Sequence, residues 1–188
     1  MRHLEDDSDM KIAGDDFEPI GTPADSAPVD DTARQLEEQK ANGNLSRARR
    51  LGAILADEIS SVEGDSRTTD SVLLTQRRIL LAFAVEIGLE ELLPNSLLTQ
   101  TAQNIFYNSL QTTSPQFYDD LQASGAFSFY YLCVRDGRGP EDEQVGETFA
   151  SLCGRKGDPA YCQMGRDLYR HFSGQVQYFV DTLEFVRS

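Results

Sequence analysis

Arg77 occupies the most unusual position of any charged side chain in this sequence. Between residues 69 and 93, apolar residues at helical spacing cover most of the circumference of a predicted helix, and Arg77 falls between Leu81 and Ala84 on that apolar surface. A buried guanidinium needs a partner, because an unpaired charge in the interior is costly. Arg77 therefore forms an ion pair or caps carbonyl groups, extends its head group to the surface, or binds an anionic ligand in a pocket.

Asp167 and His171 are one helical turn apart, which lets the carboxylate hydrogen-bond the imidazole and orient it. Such a pair is half of a catalytic dyad, and these two residues are the candidate acid and base of the chain. A complete site also needs a nucleophile, and the sequence places no serine or cysteine beside the pair. His171 also belongs to an apolar strip of its predicted helix, which favours a structural role for the ring.

All seven tyrosines lie at or after position 107. Bundles built from aromatic rings often leave gaps between helices that bind ligands. The candidate polar groups of such a pocket are Tyr130, Tyr131, Tyr169 and Tyr178. Filling of the core is the favoured interpretation of the same rings, because aromatic side chains contribute much of the energy of a core.

The three cysteines, Cys133, Cys153 and Cys162, do not predict a metal site. Cys162 and His171 are nine residues apart on one predicted helix, about 13.5 Å along its axis, which is too far to share an ion. The sequence also lacks a glycine-rich phosphate loop and an Asp-rich calcium loop. We expect neither metal nor cofactor, and reduced thiols in a cytoplasmic protein, because three cysteines cannot all pair within one chain.

The elements that carry these residues are all predicted to be helices. Capping residues and apolar periodicity place them at about 31–41, 45–63, 69–93, 96–112, 115–136, 140–153 and 158–186. In the helix 115–136, the apolar residues are Phe117, Leu121, Phe129 and Leu132. Short turns imply antiparallel neighbours, so the predicted fold is all-α: an irregular antiparallel bundle of six or seven helices. The third helix should lie at its centre, together with the last, in which His171 and Tyr178 belong to a second apolar strip.

Residues 1–30 differ in composition from the rest of the chain. They are rich in Asp, Gly, Pro and Ser, which predicts a disordered acidic tail in front of a single helical domain at 31–188. The net charge of −14 disfavours binding to nucleic acids and to anionic membranes. The longest apolar run has seven residues, whereas a membrane span needs about 20, and the N-terminus lacks the apolar stretch of a secretory signal.

Two hypotheses for function follow. The first is a non-catalytic helical protein-interaction or scaffold module that binds a protein partner or forms a homodimer, which requires an exposed apolar patch on the folded body. The second is a small anionic-ligand-binding protein or enzyme, with a site between helices formed by Arg77 and the pair Asp167 and His171. The second requires these three side chains to converge on one concave space.

Overall fold

The computed structural model describes residues 27–61, 70–135 and 139–187. Within these ranges the chain forms eight α-helices and no β-strand, which confirms the all-α prediction. The helices are α1 (Ala27–Ala41), α2 (Asn44–Ser61), α3 (Ser71–Leu92), α4 (Ser96–Thr113), α5 (Pro115–Ser124), α6 (Ala126–Arg135), α7 (Glu141–Leu152) and α8 (Pro159–Thr182). The predicted tail lies outside the described residues up to residue 26. Helix α1 begins before residue 31 because Pro28 is tolerated in a first helical turn.

Side-chain caps define where several helices begin. The carboxylate of Asp70 accepts hydrogen bonds from the first turn of α3, and Asn95 does the same for α4. Asp158 caps α8, and Pro159 occupies the first helical position behind it. These helices therefore begin close to the positions that the capping residues predict.

The predicted helix 115–136 is wrong as a single element. Gly125 has a φ of +61°, a left-handed conformation that ends α5 and starts α6 in a new direction. The break changes the orientation of α6 relative to α5, so the apolar residues of these two helices do not share a face. Phe117 and Leu121 are buried, whereas Phe129 and Leu132 are 56% and 65% exposed.

Helix α3 lies at the centre of the bundle, as predicted. Every residue from Ile79 to Val85 is at most 3% exposed. Helix α4 runs antiparallel to α3, because Arg78 reaches Ser114 while Glu86 reaches Gln103. Helix α8 runs parallel to α3.

Three glycines allow helices to approach one another closely. A Cβ on Gly52 of α2 would lie 2.3 Å from the carbonyl oxygen of Ala102 in α4. A Cβ on Gly146 of α7 would lie 2.4 Å from the carbonyl oxygen of Cys162 in α8, and one on Gly88 of α3 would lie 2.7 Å from Val176 of α8. The spacing of these three helix pairs therefore depends on the absence of a side chain.

The two apolar strips predicted on α8 differ in burial. Phe172 and Val176 of the first strip face the interior, as does Tyr169, whereas His171 and Tyr178 of the second strip are exposed. The second strip is therefore not buried at these two positions, although Met164, which also belongs to it, packs against the core. The helix also ends at Thr182, a turn before the predicted position.

Candidate functional site

Arg77 has no ion-pair partner among the described residues. It is half-buried, no described carboxylate oxygen lies within 4 Å of its guanidinium, and its Nε is enclosed without a hydrogen-bond partner. The expected ion pair is therefore not found in the described part of the chain. Arg77 also lines none of the cavities described below.

Asp167 and His171 do not form the expected dyad. Both side chains are exposed, and Asp167 accepts a 2.8 Å hydrogen bond from Nε2 of Gln163 instead. The imidazole of His171 lies beside the ring of Phe172, with centroids 5.7 Å apart. The Asp167 carboxylate therefore does not orient the imidazole of His171.

The structure also keeps Arg77 and His171 apart. The rings of Phe83 in α3 and Tyr169 in α8 are stacked with centroids 6.3 Å apart, which aligns these two positions. Along the parallel helices, Arg77 lies about 9 Å before this level and His171 about 3 Å beyond it. Arg77 and His171 are therefore about 12 Å apart along the helix axes, and His171 lies on the outer face of α8. The two residues do not form one small-ligand site.

Three of the four candidate tyrosines converge, but on a filled core. Tyr130, Tyr131 and Tyr169 surround the ring of Phe83, with centroid distances of 4.9, 5.4 and 6.3 Å. Such edge-to-face and offset arrangements are typical of close aromatic packing. Tyr178 lies elsewhere on the surface, where it lines a groove with Glu58 of α2.

A cleft of about 450 Å³ opens between α3, α7 and α8 where Tyr169 reaches the surface. The Tyr169 hydroxyl donates to Glu141, and Arg170 pairs with Asp142. Burial, together with the charges of Glu141 and Glu90, raises the pKa of Glu91 on the opposite wall. We call this the acidic cleft; its excess of carboxylates disfavours the anionic ligand that the second hypothesis requires.

A partly buried carboxylate network was missed by the sequence analysis. Glu86 of α3 accepts hydrogen bonds from the Tyr107 hydroxyl at 2.6 Å and from Nε2 of Gln103 at 3.0 Å. Burial raises the pKa of Glu86; the bond from Tyr107 opposes the rise and the charge of Glu90 adds to it. The signal available in the sequence was the spacing of Gln103 and Tyr107, one turn apart on α4 and so able to donate to one acceptor.

The cysteines lie half-buried as free thiols. Burial raises the pKa of the Cys153 thiol to about 11 and also raises that of Cys133. In the described part of the chain, no three His, Cys, Asp or Glu residues are grouped so that they would hold a metal ion.

The outer face of α6 carries two large apolar side chains in water. Phe129 and Leu132 are one helical turn apart, and the exposed residues beside them on this helix are Ser128 and Arg135. We refer to Phe129 and Leu132 as the α6 surface. The opposite face of α6 is fixed in the core, because Ala126 is buried and Tyr130 is stacked on Phe83.

Comparison of the chain with protein-family models, curated proteins and solved structures finds no match. None of the helices in the described ranges combines the length and apolar character needed to cross a membrane.

Proposed function

We propose that this protein is a non-catalytic interaction module that binds a partner protein through the α6 surface. The exposed pair Phe129 and Leu132 is the observation that carries the proposal. Large apolar side chains that lie together in water are typical of the centre of a protein interface.

The packing of α6 supports this role, because the helix is fixed before any partner arrives. Tyr130 contacts the ring of Phe83, and the Sγ of Cys133 lies 3.0 Å from the Tyr130 carbonyl oxygen on the inner side of the helix. A rigid helix loses little conformational entropy on binding, so more of the apolar contact energy contributes to affinity.

The charge of the chain favours a different protein over a second copy as the partner. Two copies with a net charge of −14 repel each other. A basic partner with an apolar anchor would be attracted by the charge and would cover the α6 surface. The homodimer remains the competing prediction.

Photo-crosslinking in the cells that produce the protein tests the proposal. The photoreactive residue p-benzoylphenylalanine replaces Phe129 in one variant and, as a matched control, the equally accessible Tyr178 of α8 in another. We expect a discrete adduct with another protein from position 129, absent from position 178 and abolished by Leu132→Glu.

Three outcomes would contradict the proposal. They are the lack of an adduct at position 129, the same adducts from both positions, and an adduct with the mass of two copies of this chain. The last result would establish self-association in place of a distinct partner. Because both residues of the α6 surface are exposed, we expect the variants to keep the thermal stability of the wild type.

The second hypothesis has no comparable support. Arg77 and the pair Asp167 and His171 do not share a cavity, and the acidic cleft disfavours an anion. Anion binding is better supported at a different place in the fold.

A further inference from the structure

A groove of about 740 Å³ runs along the contact between α7 and α8 and the turn that joins them. We refer to it as the α7–α8 groove. Its donor groups belong to Thr148, Ser151, Lys156, Gln163 and Arg166, and Glu147 is the one carboxylate among its lining residues. The close approach of the two helices at Gly146 fixes its walls relative to each other.

Arg166 is the first of two cations in the groove, and its guanidinium makes no hydrogen bond to another described side chain or backbone group. Its side chain is 27% exposed, so most of the side chain is removed from water. Its closest carboxylate is Glu143 at 3.6 Å, which is beyond hydrogen-bond length, and its Nε is enclosed without a partner. A guanidinium has five N–H donors, and such groups normally find acceptors when they are partly buried.

Lys156 is the second cation, on the exposed turn between the helices. None of the described carboxylates lies within ion-pair distance of it. Gly154 and Gly157, with φ values of 69° and 77°, give the turn the shape that brings Lys156 to the groove. Both cations are therefore without a hydrogen-bonded carboxylate among the described residues.

The balance of charge in this groove differs from that in the acidic cleft. The chain has a net charge of −14, and in the acidic cleft Glu91, Glu141 and Asp142 outnumber Arg170. The α7–α8 groove is lined by two cations and one carboxylate, and a second carboxylate, Glu143, lies 3.6 Å from Arg166. An anion is therefore less strongly repelled in this groove than in the acidic cleft.

We propose that the α7–α8 groove binds a small phosphate-bearing molecule. A phosphate monoester carries close to two negative charges at neutral pH, which matches two cations, whereas a single carboxylate would neutralise only one of them. The guanidinium suits a planar, two-point contact with phosphate oxygens, and the hydroxyl of Ser151 is an additional donor. The groove is also large enough for an organic body attached to the phosphate.

Cys162 lines the same groove and provides a direct readout of occupancy. The test measures the rate at which iodoacetamide alkylates Cys162, by peptide mass spectrometry, with inorganic pyrophosphate or citrate added at equal ionic strength. A ligand at twice its dissociation constant that blocks the thiol slows the reaction about threefold. We expect this protection with pyrophosphate, and neither citrate nor sodium chloride should match it.

Variants at the two cations make the test specific. Lys156→Gln and Arg166→Gln should abolish the protection, whereas Arg155→Gln should keep it, because Arg155 is next to Lys156 but lies over the ring of Tyr161, 5.6 Å from its centroid. The exposed Lys156→Gln variant is expected to fold, so it decides the result even if Arg166→Gln does not. Cys133 and Cys153 in the same sample report any general change in accessibility.

The proposal is overturned if pyrophosphate at millimolar concentration leaves Cys162 unprotected. It is also overturned if Cys133 and Cys153 are protected to the same degree, or if Lys156→Gln retains protection. Equal protection by citrate would reject a phosphate site in favour of a general oxyanion site. Loss of protection in Arg155→Gln would show that the protection results from non-specific charge attraction.

Discussion

The hydroxyl of Tyr130 is enclosed in the core, yet it hydrogen-bonds no described protein group. A buried polar group without a partner costs about 1–3 kcal/mol, so Tyr130→Phe should raise the free energy of unfolding by about 1 kcal/mol or more. Tyr169→Phe is the matched control, because its hydroxyl donates to Glu141 and the variant should be less stable. Urea denaturation of the three proteins measures both changes, and a destabilised Tyr130→Phe would contradict the argument.

Individual side chains were the least predictable level of the molecule. The helical wheel correctly placed Arg77 partly inside the apolar surface of α3, but a wheel contains no information about which carboxylates face it from other helices. For the same reason the sequence does not reveal that Tyr107 and Gln103 of α4 donate hydrogen bonds to Glu86. Lys156 and Arg166 were missed because their shared groove exists only once α7 and α8 pack together.

At the scale of the helix, close packing at Gly52 leads to a clear prediction. Gly52→Ala would place a methyl group 2.3 Å from the Ala102 carbonyl oxygen, so α2 and α4 must separate, at a cost of about 1–3 kcal/mol. Gly174→Ala on α8 is the matched control, since nothing lies within 4 Å of its added Cβ. Higher helix propensity should stabilise that variant by about 1 kcal/mol. Thermal unfolding distinguishes them, and equal shifts in one direction would reject the packing argument.

Most of the helices were predictable because their ends are encoded locally. Asn95 and Asp158 cap the first turns of α4 and α8, and Pro159 fits only at a helix start. The exception was Gly125, where a single glycine within an apolar pattern is compatible with either a continuous helix or a break. Its left-handed conformation decides which apolar residues reach the core, and therefore why the α6 surface is exposed.

For the molecule as a whole, the excess of carboxylates predicts how stability depends on pH. The pKa of Glu86 is raised above 4.5 in the folded state, so between pH 4.5 and that raised pKa the folded protein binds more protons than the unfolded chain. The free energy of unfolding therefore falls as the pH rises through this window, and Glu91 acts in the same direction. Above the raised pKa values this contribution is constant.

The variant Glu86→Gln isolates one such group. Because glutamine does not titrate, the stability of the variant relative to the wild type should increase as the pH rises through the same window and then level off. Urea denaturation at a series of pH values measures this difference. A difference that is flat or falls across the window would show that the folded protein does not disfavour the ionised Glu86 carboxylate.

The protein can finish folding only after α8 has been synthesised, because α8 packs against α3. Phe83 and Gly88 of α3 are covered by Tyr169 and Val176 of α8, and the ribosome adds these partners only after four further helices. Until then, the buried apolar residues at the centre of α3 are not packed against α8. Newly made chains should therefore be most vulnerable to aggregation, and most in need of chaperones, during this interval.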